Sequence, residues 1–471
     1  EVYNKVGSPH FAVVGGGYGD NTNVAKDTHI NVNMEKYRDM ENKPNITEGE
    51  EYKHFVSGYS VMDVVGGGYS GKVTGDSHVN VSGLFCRRIF GGGFYNAVNN
   101  TYVDIDMVDC HDIFGGGLMG DILNSTNIKI GKEGSGTNNH KDIYVHGSIY
   151  GANDVSGYVN IGLDEDGEFK DLGGSGTNIK IYGGHIDGNV YGAGNGDYLY
   201  ALDRKGNEKV TVNEHYLLNP DDPSSEQFDL VYTVPMRETM PSYKSASDAA
   251  KIVNINSWRP LTNKVNIQIA GNSISDTVSI KGDVYGGGNS ATVLKVNPSS
   301  GSGTDMVGSV SLNIGSHVKI GRVFMGCNGD ALFTASEDNA FMTNFRKLNG
   351  DLTKVNGDLD LGKTIDWLTD PSNKGISTLY LPTKNDERPL VYPHLLDLYF
   401  QPVEMDIQGE LLWNGTVDGT GLEDCIIGSF FCGGNRGNMN VYPKTDGEKK
   451  GNVFEYSFPN GLTITDKIVG G

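Results

Sequence analysis

The chain repeats one short motif: two apolar residues, a run of glycines and, in several copies, an Asn. It reads Val13-Val14-Gly15-Gly16-Gly17, Val64-Val65-Gly66-Gly67-Gly68, Ile89-Phe90-Gly91-Gly92-Gly93 and Ile113-Phe114-Gly115-Gly116-Gly117. Looser copies are Ile149-Tyr150-Gly151-Ala152-Asn153 and Val190-Tyr191-Gly192-Ala193-Gly194-Asn195. Further copies are Val284-Tyr285-Gly286-Gly287-Gly288-Asn289, Val323-Phe324-Met325-Gly326-Cys327-Asn328 and Phe430-Phe431-Cys432-Gly433-Gly434-Asn435, and Ile468-Val469-Gly470-Gly471 reads as a tenth cut short. A chain that repeats itself in this way folds as a solenoid, because each repeat buries its apolar face only against its neighbours.

Counted from the first residue after the apolar pair, the copies start at 15, 66, 91, 115, 151, 192, 286, 325, 432 and 470. The shortest spacings, 24 and 25 residues, come close to one minimal turn, and the longer ones are turns carrying insertions. Between the glycine motifs runs a period of two, as in His78-Val79-Asn80-Val81, Tyr102-Val103-Asp104-Ile105, Asn127-Ile128-Lys129-Ile130, Tyr158-Val159-Asn160-Ile161 and Asn178-Ile179-Lys180-Ile181. Alternation of β-branched and polar residues marks a strand with one buried face. A turn of about 25 residues holds roughly three short strands at ~3.3 Å per residue, which is the geometry of a parallel β-helix. Glycines stacked at one corner allow sharp bending or close backbone approach, and the Asn after them suits an internal amide ladder. A phosphate loop is the competing reading of a glycine run, but no Lys-Ser/Thr and no helix pattern follows any copy.

With apolar pair, glycines and alternating strand recurring together, the chain resembles the right-handed parallel β-helix proteins. In its VYGGGN-like motif it resembles the glycine-rich surface and adhesin-like proteins of Bacteroidetes-type bacteria. The resemblance covers most of the chain outside two long insertions, and it implies an exported rod, often without catalytic residues. The expected fold is all-β: a right-handed solenoid of at least nine coils over 1–196, 263–330 and 425–471, interrupted by insertions at 197–262 and 331–424. Short helices are expected in the insertions at 245–251, 336–348 and 361–368, and a charged loop at 35–59. Val79, Val81, Val103, Ile105, Ile128, Ile130, Val159, Ile161, Ile179 and Ile181 are expected in stacked, buried columns.

A net charge of −21 argues against nucleic acid or an anionic membrane as partner, since both call for basic patches. No apolar run reaches the ~18 residues of a membrane span. The chain begins at Glu1 and ends inside a repeat, which reads as a segment of a longer exported protein, extracellular or on the cell surface. The five cysteines carry no metal spacing. Cys86 and Cys110 lie at equivalent places before their glycine runs, so a reduced thiol ladder or a disulfide is open to them.

The one local cluster suited to polysaccharide chemistry is Asp104, Asp106, Asp109, His111 and Asp112, with Arg87 and Arg88 one coil below. Inverting hydrolysis uses two carboxylates, one protonating the leaving oxygen and one activating water. The bland reading is that outward positions of an acidic rod are carboxylates. The β-helix hydrolase signature is missing: Gly184-His185 is followed by Ile186 where that pattern has Gly. Calcium has one candidate, Asp164, Asp166 and Glu168 around Gly167, which also reads as an acidic turn. The favoured function is a non-catalytic structural or adhesive rod whose insertions contact a glycan or another surface protein, with self-association along the rod. The alternatives are a polysaccharide lyase or glycoside hydrolase using Asp104, Asp106, His111 and Asp112, and a trimeric phage or virus fibre.

Overall fold

The computed structural model describes residues 12–19, 21–33, 61–134, 142–165, 169–198, 201–202, 209–217, 227–235, 259–299, 307–329, 354–355, 358–359, 404–406, 409–413, 422–435, 438–440 and 458–470. The protein is all-β, with no α-helix among the described residues. The helices expected at 245–251, 336–348 and 361–368, and the loop at 35–59, lie outside them. One sheet gathers 23 strands, and its strand pairings are parallel.

The pairings resolve into four rows, each holding one position of successive repeats. In the first, all ten apolar pairs follow in register: Val13-Val14 on Val64-Val65, then Ile89-Phe90, Ile113-Phe114, Ile149-Tyr150, Val190-Tyr191, Val284-Tyr285, Val323-Phe324, Phe430-Phe431 and Ile468-Val469. The second row follows the glycines and includes Val98, Ile122, Val159, Thr262, Val293, Met405 and Met439. The third takes Thr28–Asn33, then the segments around Val79, Val103, Ile128, Ile179, Ile267, Leu312 and Leu411. The fourth carries Cys86, Cys110, Val145, Ile186, Ile280, Ile320, Ile427 and Ile464. Between successive copies the described strands follow one order, from the glycines through the second, third and fourth rows back to the first, with no third-row strand among the described residues after the ninth copy.

Alternation then sorts the side chains. Val79, Val103, Ile128 and Ile179, with Val81, Ile105, Ile130 and Ile181 two residues on, are buried in one apolar core together with Ile89, Ile113, Ile149 and Val190. The second member of the apolar pair lies on the opposite face of its strand. There Phe90, Phe114, Tyr150, Tyr191, Tyr285, Phe324 and Phe431 stack ring on ring, with centroids 4.3–5.0 Å apart and planes within 5–10°. Along the third row the Thr28, Thr101, Thr126 and Thr177 hydroxyls donate at 2.5–2.7 Å to the carbonyls of Gly66, Gly115, Gly151 and Gly192. The glycines serve close approach here. A Cβ on Gly66, Gly91, Gly115 or Gly151 would overlap the carbonyl oxygen of the equivalent glycine in the next circuit.

The motif's Asn forms the expected amide ladder, with one shift in register. Asn289 donates to Asn195 at 2.9 Å, Asn328 to Asn289 at 2.7 Å and Asn435 to Asn328 at 2.8 Å, while Asn195 donates to Asp154 at 2.9 Å. The ladder therefore starts at Asp154, and Asn153 instead binds the Gly117 amide and the Gly120 and Ser156 carbonyls.

Two expectations need correction. Val159 and Ile161 are buried but do not join the Val79–Ile179 columns. Val159 pairs with Ile122 in the second row, and Ile161–Leu163 turns back as a hairpin on Phe169–Asp171. The circuit from Gly151 to Gly192 holds two alternating segments, and a row has room for one, which is Gly176–Ile181. The second insertion also ends earlier than 424, since Glu404–Asp406 and Gly409–Trp413 pair in parallel with Val293 and with Val310–Ile314. Gly409–Trp413 lacks β-branched alternation, so period alone does not reveal it. Within 197–262, Ala201–Leu202, Lys209–Leu217 and Gln227–Pro235 form a separate antiparallel sheet, and Leu261–Thr262 already belongs to the main one.

Cys86 and Cys110 are in-register partners and both are buried free thiols. Burial, with Cys86 beside it, pushes the Cys110 thiol well above its usual range, and burial lifts Cys327 and Cys425 to about 12. A thiol reagent should therefore label about one cysteine of the native protein, the half-buried Cys432, and all five after unfolding. Recovery of only three thiols after unfolding without reductant would show a disulfide instead. For the glycine row, Gly115→Ala should destabilise by about 1–3 kcal/mol in urea unfolding, as overpacking does. Gly470→Ala, where nothing lies within 4 Å, should stay within about 0.5 kcal/mol of the parent.

Candidate functional site

The corner between the fourth and first rows keeps a near-constant length. Cys86 is followed by Ile89, Cys110 by Ile113, Val145 by Ile149, Ile186 by Val190, Ile280 by Val284, Ile320 by Val323 and Ile427 by Phe430. Long additions enter at the other corners. From the second apolar pair on, this uninterrupted edge carries a polar residue just before each pair: Asp63, Arg88, Asp112, Ser148, Asn189, Asp283, Arg322, Ser429 and Lys467. Several bind the next circuit's backbone through their side chains. Asp112 Oδ1 accepts the Ser148 amide at 2.7 Å, Ser148 Oγ the Asn189 amide at 3.0 Å, and Asn189 Oδ1 the Asp283 amide at 2.7 Å.

Charge along the edge is matched rung by rung. Arg87 and Arg88 both grip the buried Asp63, with Nε and Nη2 donors at 3.0–3.2 Å. Burial alone would raise the Asp63 carboxyl, but the two guanidiniums hold it below the usual carboxylate range. Arg88 lies over the Phe90 ring and also reaches Asp154 at 3.4 Å, which ties the edge to the amide ladder. Farther along, Arg322 binds Asp283 through Nε at 2.8 Å and Nη2 at 2.7 Å.

On the outer side of this edge two imidazoles are held by carboxylates. His111 Nδ1 lies 2.7 Å from Asp112 Oδ2. His146 Nε2 is 2.9 Å from Asp109 and its Nδ1 3.4 Å from Asp187, which also takes Lys281 at 2.6 Å. The Asp112 charge raises the His111 pKa against the opposing effect of burial, and the Asp109 hydrogen bond does the same for His146. Burial would lift Asp112, but His111, the Ser148 amide and Arg88 together hold it low.

The structure divides the cluster expected from sequence. Asp104 stands on the third row, where Lys129 of the next circuit binds it at 3.1 Å, and Asp106 binds Lys132 at 2.7 Å. His111 and Asp112 stand past Cys110, at the far end of the long strand Val98–Phe114, and face each other. The two halves belong to different rows because the strand bends between them. With both nitrogens of His146 engaged, this imidazole works as a clasp between circuits rather than as a base aimed at a substrate. Sequence reading missed His146, Asp187 and Lys281; the signal was their recurrence three residues before an apolar pair. Of the calcium candidates, Asp164 opens the loop of the Ile161–Leu163 hairpin, while Asp166 and Glu168 lie outside the described residues. That hairpin is anchored by Asp171, which accepts Asn160 at 2.7 Å, Asn263 at 2.8 Å and Lys264 at 3.0 Å.

Comparison with known protein families, with curated proteins and with solved structures finds no match. Among the described residues no helix is long and apolar enough to cross a membrane.

The His111–Asp112 pair sets a pH dependence. A raised histidine pKa gives stability that is complete below about 6.5 and is lost as pH rises through the raised value. A lowered aspartate pKa gives stability present above about 3.9 and lost as pH falls through the lowered value. The stability gap between the parent and His111→Gln in urea should thus be wider near pH 5.5 than near pH 9. A gap that does not change with pH would reject the ion pair.

Proposed function

We propose that the circuits wind as a right-handed parallel β-helix and that the protein is a non-catalytic structural or adhesive rod acting outside the cell. The observation that carries this reading is the first row, in which ten sequence copies pair in order with none skipped. Such a series extends one residue pattern along an axis at about 4.8 Å per circuit, roughly 43 Å for nine steps. Right-handed winding follows from the strand-crossover preference. The acidic candidates support the same reading, since Asp104 and Asp106 are neutralised by lysines and His146 is held on both sides. Charge of −21 suits a surface in contact with solvent and with neutral glycans or proteins rather than polyanions. The resemblance to glycine-rich bacterial surface proteins agrees with an exported location. The partner, a glycan or a second surface protein, engages the inserted segments, since segments added to a rigid scaffold are where binding residues usually lie.

The test is a screen of acidic and neutral polysaccharides for binding, for new reducing ends and for unsaturated-uronate absorbance, with and without calcium. Binding without turnover, lost on deleting 331–400, is the expected result. Turnover abolished by Asp104→Ala or Asp106→Ala would overturn the reading in favour of a lyase or hydrolase.

A further inference from the structure

We infer that Asp27, His29 and His78 form a binding site for a borderline transition-metal dication of the zinc, nickel or copper class. The two histidines are register partners on adjacent circuits of the third row. Each lies between inward-facing neighbours, Thr28 and Ile30 for one and Ser77 and Val79 for the other, so alternation turns both imidazoles outward. Their rings are 4.6 Å apart and within 8° of parallel, and the Tyr102 ring supports the far face of His78 at 4.7 Å. Asp27 precedes the same strand, and one ligand atom from each of the three residues lies within 4.8 Å of the others.

Contacts separate these two histidines from the carboxylate-bound histidines of the described residues, while His185 resembles them in stacking on a ring, that of Tyr144 at 5.3 Å. His111 and His146 are tied to carboxylates, whereas among the described residues His29 and His78 have ring stacking alone. Asp27 uses Oδ1 to accept the Asp76 amide at 2.8 Å, and Oδ2 remains for a cation. Two imidazoles and one carboxylate are a donor set for zinc, nickel or copper; calcium and magnesium prefer all-oxygen shells. Metal–nitrogen bonds of about 2.0–2.1 Å need the two ring nitrogens about 3.4 Å apart, a closure reached by rotation of the exposed His29 ring toward the half-buried His78 ring. Three protein ligands leave further positions for water.

The experiment is calorimetric titration of the full, tag-free chain with zinc chloride, and separately with calcium chloride. One equivalent of zinc should bind, with affinity falling at least tenfold in His29→Asn and in His78→Asn. His146→Gln should bind zinc like the parent, and calcium should give no saturable heat at this stoichiometry. Circular dichroism of each variant checks that the substitutions leave the fold intact. Zinc affinity unchanged in both histidine variants, or no zinc binding by the parent at millimolar metal, overturns the proposal. Calcium binding that competes with zinc at one site overturns it as well.

Discussion

In a parallel, in-register row, the nearest neighbour of a residue is the residue at the same position one circuit away, at about 4.8 Å. The rest of the structure depends on this constraint. Each position must hold a residue that tolerates its own equivalent above and below. Aliphatic residues satisfy it in the core, as the columns through Val79 and Val81 do. Planar rings satisfy it by stacking, which is why Phe90 through Phe431 lie nearly parallel. Amides satisfy it because each side chain both donates and accepts, so Asn195, Asn289, Asn328 and Asn435 pass one hydrogen bond along the series. Glycine satisfies it where the next backbone comes too close for any Cβ.

Charge obeys the same constraint with a different solution. Like charges stacked at this spacing repel, by roughly 1 kcal/mol in a water-like dielectric and several in a partly buried one. Along the uninterrupted edge, carboxylates therefore meet arginines, histidines or lysines of neighbouring circuits: Asp63 with Arg87 and Arg88, Asp109 with His146, Asp187 with Lys281, Asp283 with Arg322. A chain of strong net negative charge can hold such an edge because its bases are spent where carboxylates stack. Among the described residues the acids of the sequence cluster take part in the same matching, Asp104 and Asp106 with lysines and Asp109 and Asp112 with histidines.

Additions to the circuit follow from where the backbone is least constrained. The edge between the fourth and first rows is bound by side-chain to backbone hydrogen bonds from circuit to circuit, and an inserted segment there would break them. At the corners after the glycines and beside the third row the chain leaves and returns with the register intact, as Gly409–Trp413 does against Val310–Ile314. Length added there costs loop entropy that grows only slowly with residue number.

The sequence by itself determined the all-β class, the position of all ten glycine copies, the inward residues of the alternating strands and the amide ladder. These are local properties: period two selects a face, and a repeated motif must meet its own copy. What only the tertiary structure decided is which alternating segment enters which row. Tyr158-Val159-Asn160-Ile161 and Thr177-Asn178-Ile179-Lys180-Ile181 share the same pattern, and the space already taken by one settles the place of the other. The division of Asp104 and Asp106 from His111 and Asp112 was likewise hidden, because a linear run of residues does not show where a long strand bends. The same holds for His29 with His78, residues 49 positions apart in sequence that become neighbours only when one circuit is laid on the next.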